Sequence, residues 1–242
     1  MPFEPSVFFE ALTSAAFMQG AAITVALTVV TMTFGLALGL VVAVLRDSRW
    51  RALRVVSWAY IWIFRAVPTL VQLLFVWNAL PQLVPALKGP WFSPFIAAAV
   101  ALSMNEAAYA AEILRGGLLS VDSGQRLAAR ALGMTPFRVF RRVVTPQLIR
   151  VVIPPMANDF ITNLKVTSLA SVISLRELMT NAQSAVSSTF RFAEYYAAAA
   201  VYYLILVSIF MVVQSWLERR YVWSSHTWRS GPAGHMPLEA GR

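Results

Sequence analysis

The side chains able to do chemistry in this chain sit inside apolar stretches. Glu106 and Glu112 lie within one such stretch. Six positions apart, they project from nearly opposite faces of a helix and do not make a general acid–base pair. A second polar run, Asn158, Asp159, Asn163, Lys165, Thr167 and Ser168, interrupts another apolar segment, and Gln72 interrupts a third. Cysteine is absent and the only histidines are His226 and His235, so thiolate chemistry is excluded and little remains for a buried metal or acid–base centre. Neither lysine, Lys88 or Lys165, follows a glycine-rich phosphate loop, so the chain has no Walker A pattern of its own. Polar groups in such surroundings either line a solute path or hydrogen-bond between helices, and the first reading is preferred. Its leading residues are Asn163, Lys165, Thr167 and Ser168, with Asp159, Glu106 and Gln72 as lesser candidates.

The elements that must carry these residues are membrane spans. Of 242 residues 58% are hydrophobic and 13% charged, about half the charged fraction usual for soluble domains; the mean hydropathy is +0.64. A net charge of +9 could suggest nucleic acid, but these arginines cluster beside apolar segments, where membrane orientation accounts for them better. Apolar segments at about residues 21–45, 57–80, 95–113, 151–175 and 195–217 predict an all-α integral membrane protein of five transmembrane helices. Thr24, Thr28 and Thr31 share a face of the first, and Gly35 with Gly39 marks a place where another helix can come close. Arg65, early in the second, either snorkels to the interface or lines a path. Glu112 is expected to pair with Arg115, and residues 176–191 to form a polar loop. Tyr195, Tyr196 and Trp216 suggest an interfacial belt.

Residues 1–20 lack the basic start of a signal peptide and are expected to be retained outside. Phe8, Phe9, Leu12, Ala15 and Ala16 there form either one face of an interfacial helix or part of a frayed end. Residues 21–220 make the membrane domain, with a loop at 114–150, and 221–242 a flexible tail. Fifteen Lys or Arg flank the spans on one side, against Lys88, Arg176 and Arg191 on the other. That asymmetry puts the N-terminus outside and the C-terminus in the cytoplasm.

On the basic side, residues 124–146 read as helix, stop and helix. Gln125 to Leu132 favour helix, Gly133 closes it, and Thr135-Pro136 supplies a cap followed by proline at the first helical position. Thr145-Pro146 repeats that signal and is expected to start the helix re-entering the membrane. Ala128, Ala129, Leu132, Met134 and Phe137 offer an apolar face to a groove.

Leu127-Ala128-Ala129, Gly133 and Val143-Val144-Thr145-Pro146 resemble the cytoplasmic signature of permease subunits of binding-protein-dependent ABC importers, in which EAA precedes a glycine and then I-x-L-P. The glutamate is replaced by Leu127 and the leucine by Thr145. Residues 108–117, 164–173 and 65–73 are similar to three further runs of the polar-amino-acid branch. The resemblance implies a type I permease fold that carries a polar amino acid or related small polar solute across a bacterial inner membrane. It implies a second permease subunit, identical or not, cytoplasmic ATPases that bind ATP and Mg, and an external solute-binding protein. No cofactor is expected in this chain, and none of its residues is expected to be catalytic or to bind metal. The ATPase is expected to contact Ala128, Ala129, Leu132, Gly133, Met134, Pro136 and Phe137. A stand-alone channel, or a membrane enzyme using Glu106, Asp159 and Lys165, is the alternative.

Overall fold

A computed structural model describes residues 2–221, and among them every regular element is helical. The expected tail at 221–242 lies outside the described residues except for Tyr221. The first short helix, α1 (Pro5–Thr13), leads through the Ser14 cap into α2 (Ala15–Arg46). α1 is neither frayed nor presented only to an interface. It docks on protein: Ala11 is buried, Tyr202 Oη donates to the Leu12 carbonyl at 2.7 Å, and Arg191 bridges Glu4 at 2.6 Å.

The second expected span is not one straight helix. α3 (Arg51–Ala66) ends before Pro68, and the chain resumes over Thr69–Leu83 at an angle of 104°. Thr69–Leu83 comprises α4 (Thr69–Leu74), a π turn and α5 (Leu80–Leu83). Proline offers no N–H and forces Val67 before it into extended backbone, so the α3 carbonyls lose their helical donors. Gln72 replaces those donors, its Nε2 reaching the carbonyl oxygens of Phe64 at 2.9 Å and Val67 at 2.8 Å, and Asn105 Nδ2 adds a bond to Phe64 O at 3.0 Å.

The core of the bundle is the pairing of α2 with α6 (Pro94–Ser120). Buried Ala97, Ala98, Ala101, Ala107, Ala108, Ala110 and Ala111 line α6, while Gly39 faces Ala107 and Ala110 across the gap. Small residues on both sides let the backbones approach, the arrangement that packs helices where lipid removes the hydrophobic drive between them.

The basic insert follows. α7 (Ser123–Ala131) ends in a Schellman motif: Gly133 adopts φ 78°, its N–H reaches Arg130 O at 2.9 Å, and Met134 N–H reaches Ala129 O at 3.2 Å. Thr135 caps α8 (Pro136–Val139), as its sequence predicts. The second cap signal does not act as one. α8 runs through a π segment, Phe140–Val144, directly into α9 (Thr145–Val166). Thr145 Oγ1 donates back to Phe140 O at 2.9 Å instead of accepting from the next turn, and the π turn absorbs the N–H that Pro146 lacks. Pro154 and Pro155, expected near the start of a span, therefore lie inside a longer helix.

After a 3-10 turn, Thr167–Ile173, the expected loop at 176–191 is largely helix. α10 (Leu178–Thr189) packs on α2 and on α11 (Phe192–Tyr221). Its start is capped by Glu177, a fully buried carboxylate that accepts from the backbone N–H groups of Met179 at 2.9 Å and Thr180 at 2.7 Å and from Tyr203 Oη at 3.2 Å. By length and apolarity α2 and α11 each qualify as spans, and α3 with Thr69–Leu83 would count as one broken span. α6 and α9, of 27 and 22 residues, are long enough to cross but hold the polar residues of the centre.

Candidate functional site

The centre is assembled from one residue on each of three helices. Asn163 of α9 stands between Thr31 of α2 and Glu106 of α6. Its Nδ2 donates to Glu106 Oε2 at 3.1 Å, and its Oδ1 accepts from Thr31 Oγ1 at 3.2 Å. All three are buried, so each bond replaces one that water would otherwise supply. Glu106 fits there because Gly35 lies opposite it; a Cβ at position 35 would overlap the Glu106 side chain.

This network leaves acceptors over. Glu106 Oε1 and Asp159 Oδ2 are buried and have no hydrogen-bond donor. They border a cavity of about 150 Å³ whose other walls are Thr69, Leu102, Asn105, Tyr109, Thr162, Asn163 and Val166. That is below the roughly 300 Å³ at which ordinary ligand pockets begin, and it suits a small polar group. Unpaired acceptors in so confined a space call for a proton or a cation. A larger cavity of about 410 Å³ between α2, α9 and α11 is lined mainly by Met32, Leu36, Met156, Phe160 and Phe210, and offers few polar groups to orient a solute.

Of the expected pathway residues, Glu106, Asp159 and Asn163 come together on this cavity. Gln72 does not line it, because its amide is committed to the broken span. Thr167 is buried with its hydroxyl on Leu164 O at 2.7 Å, and Ser168 bonds Lys165 O at 2.7 Å, so both serve their own turn. Lys165 is exposed, beyond the cavity wall, one turn past Thr162 on the face that also carries Asn158. Glu106, Asp159 and Lys165 are thus not gathered into one reaction centre. Among the described residues no cluster of His, Cys, Asp and Glu has the makings of a metal site.

Sequence reading passed over Thr31, Thr69, Asn105, Tyr109 and Thr162. Thr31 carried a signal, its register with Thr24 and Thr28, but that pattern speaks only for packing. A second correction concerns Glu112. It meets Arg65 at 4.0 Å instead of Arg115, and Arg65 also lies over the Tyr109 ring, 5.4 Å from its centroid. Arg65, Glu112 and Tyr109 border a further cavity of about 400 Å³, and Tyr109 lines both this cavity and the central one.

At the insert, Leu132 and Phe137 are 83% and 70% exposed, and Leu127 also points outward. Ala128, Gly133 and Pro136 are exposed around the turn, and nothing lies within 4 Å of a Cβ built on Gly133. Ala129 is a correction: it is 6% exposed and packs with Val121, Val139 and Val144 in the insert's own small core, which Met134 partly covers. The apolar face open to a partner therefore consists of the larger side chains with Ala128, and not of Ala129.

Known proteins share this layout. The chain is 38% identical over 202 residues to the probable amino-acid permease protein YxeN of Bacillus subtilis (strain 168), covering 84% of this chain and 89% of that protein. The octopine transport system permease protein OccM of Rhizobium radiobacter is 37% identical over 231 residues, with 91% and 93% covered. The glutamine transport system permease protein GlnP of Escherichia coli (strain K12) is 35% identical over 203 residues, with 84% and 91% covered. Among solved structures, a chain from the crystal structure of an amino acid ABC transporter with histidines superposes with a TM-score of 0.80 at 36% identity, over 91% of this chain and all of that one. A chain of the inward-facing MetNI methionine ABC transporter has the same fold, with a TM-score of 0.69 at 21% identity, over 92% of this chain and all of that one. Residues 35–223 match one family description over more than half of the chain, and the protein belongs to that family, the binding-protein-dependent transport system inner membrane component.

Proposed function

We propose that the chain is the permease subunit of an ABC importer for a polar amino acid, and that the Glu106–Asp159 cavity receives the substrate's ammonium group. The observation that carries this is the pair of buried carboxylate oxygens without donors, on two residues that line one cavity between α6 and α9. An ammonium ion supplies the missing donors and the missing charge together. Asn163, held by Thr31, fixes the Glu106 carboxylate so that its free oxygen keeps pointing at the cavity. Lys165, on the exposed face of α9, supplies a countercharge for the substrate carboxylate on its way to the cavity. The relatives named for glutamine, octopine and amino-acid transport support the substrate class.

In this reading five spans cross a bacterial inner membrane, with the N-terminus outside and the insert and C-terminus in the cytoplasm. A second permease subunit completes the pathway, and a solute-binding protein delivers substrate from outside. ATP and Mg are bound by a separate ATPase that seats on Leu132, Gly133 and Phe137. Closure of the ATPases moves the insert, and the continuous helical run from residue 136 to 166, through the π segment and α9, carries that motion to Asp159 and Asn163. The Arg65–Glu112 pair beside Tyr109 is the barrier between the central cavity and the one of about 400 Å³ that the pair borders.

Uptake into proteoliposomes containing the subunit with its ATPase and binding protein tests the proposal. Glu106→Gln and Asp159→Asn keep shape and remove charge. Each is expected to lower uptake at least tenfold while the assembled complex still hydrolyses ATP. Unchanged uptake in both variants would reduce the cavity to a packing feature, and solute flux without ATPase would favour a channel.

A further inference from the structure

A separate site lies at the end of the bundle from which the insert departs. The last residue of α2, Arg46, the first-turn residues of α3, Arg51 and Arg54, and Arg115 of α6 converge with Val55 and Trp58 on a cavity of about 370 Å³. No acidic residue lines it. Among the described residues none of the four guanidinium groups has a carboxylate within ion-pair distance. Nearby acids are otherwise placed: Glu112 meets Arg65 at 4.0 Å, Asp122 caps Gly124 N–H at 2.7 Å, and Asp47 is exposed at the end of α2. Arg54 spends one donor on Ser48 O at 3.2 Å, and the Arg115 Nε–H is buried without any acceptor.

A second observation is independent of the first. The N-terminus of a 16-residue helix carries partial positive charge and unpaired N–H groups, for which acidic residues or a capping side chain are the usual complement. At α3 the N-cap Trp50 provides no side-chain bond, and the first turn holds two arginines and no acid. Helix end and guanidinium groups thus add positive potential in one place, an arrangement that favours a bound anion.

We infer that this cavity binds a phosphate oxyanion, supplied by the headgroup of an anionic glycerophospholipid. Guanidinium forks match phosphate oxygens, and Arg115 Nε–H becomes a donor in use. Val55 and Trp58 form the apolar edge over which an acyl chain continues onto the exposed, stacked Trp58–Trp62 pair. The same oxygens could come from free phosphate, so the test separates the two sources.

The purified full-length chain in detergent is titrated with phosphatidylglycerol, phosphatidylcholine or inorganic phosphate, with bound lipid read by native mass spectrometry and stability by thermal denaturation. Phosphatidylglycerol is expected to bind and raise the melting temperature, and phosphatidylcholine to do neither. The double variant Arg51→Gln with Arg54→Gln is expected to weaken phosphatidylglycerol on the order of 30-fold, the factor that two such charges are worth near an anionic surface. Arg138→Gln with Arg141→Gln, which removes the same charge from the exposed insert, is expected to leave binding intact. Arg115→Lys retains charge but loses the Nε–H, and weaker binding in it supports the site even if the double variant fails to fold. Stabilisation by phosphate alone, abolished in the same variants, supports the site with a soluble source. Equal weakening by the cavity pair and the insert pair, or no effect of any variant, overturns the proposal, because attraction would then be general.

Discussion

Gly35 and Gly116 occupy the same kind of helical backbone but have opposite surroundings. A Cβ at Gly35 collides with Cβ and Cγ of Glu106, atoms too near the α6 backbone to swing aside, whereas a Cβ at Gly116 meets nothing within 4 Å. Gly35→Ala is therefore expected to destabilise by about 1–3 kcal/mol through overpacking and to reduce uptake by displacing Glu106. Gly116→Ala should gain roughly 0.5–1 kcal/mol from helix propensity alone. Thermal denaturation of both variants, with uptake measured in parallel, checks the pair; equal effects would show that α2 and α6 do not approach as described. At this scale the sequence was partly legible. The spacing of Gly35 and Gly39 announces a close approach, but which side chain arrives opposite Gly35 depends on the relative register of two helices distant in sequence, α2 and α6, which no local pattern encodes. The same holds for Asn163, whose bonds to Thr31 and Glu106 come from chain segments far from it in sequence.

At the scale of elements, regular apolar segments were readable and their interruptions were not. The broken span is held by Gln72, which serves two carbonyls that Pro68 leaves without donors. Gln72→Leu matches its bulk without its amide, and is expected to cost about 1–3 kcal/mol for the buried carbonyls left unpaired. A lowered melting temperature with the docking of a partner unchanged is the expected result; full stability would mean that water takes over the two bonds. α10 escaped sequence reading because its serines, threonines and asparagine weigh against helix, while what stabilises it is a cap and a packing face. Burial pushes the Glu177 carboxyl above its ordinary range even as the N–H groups of Met179 and Thr180 oppose the shift, so the cap is costly to bury and its bonds are what hold it. Glu177→Ala should lose about 0.5–2 kcal/mol, the usual worth of an N-cap, and loosen α10 from α2. Hydrogen exchange of residues 178–189 reads that loosening directly, and unchanged protection there would rule out the capping role.

For the molecule as a whole, the proposed solute cavity and the insert are separate, so their functions should fail separately. Leu132 and Phe137 are the most exposed apolar side chains around the Gly133 turn, and Ala129 beneath them belongs to the insert's own core. An apolar face that protrudes this far, with Arg126, Arg130 and Arg138 around it, gains from burial against a partner and not from folding of the chain itself. Phe137→Asp is accordingly expected to leave the unfolding free energy of the isolated subunit unchanged within about 0.5 kcal/mol, the range of surface changes, and to reduce recovery of the ATPase in a pull-down at least tenfold. Ala129→Asp should act in the opposite order, unfolding the insert first and losing the partner as a consequence. Glu106→Gln should retain the ATPase fully while uptake falls. Leu127→Glu completes the set: it restores the acid of the resembled signature on an outward-pointing residue, and if apolar contact around Gly133 carries docking, recovery of the ATPase should stay within a factor of about two of the parent. A much larger gain would show that the ATPase presents a charge awaiting a carboxylate, and that position 127, not only the Leu132–Phe137 face, sets the strength of coupling.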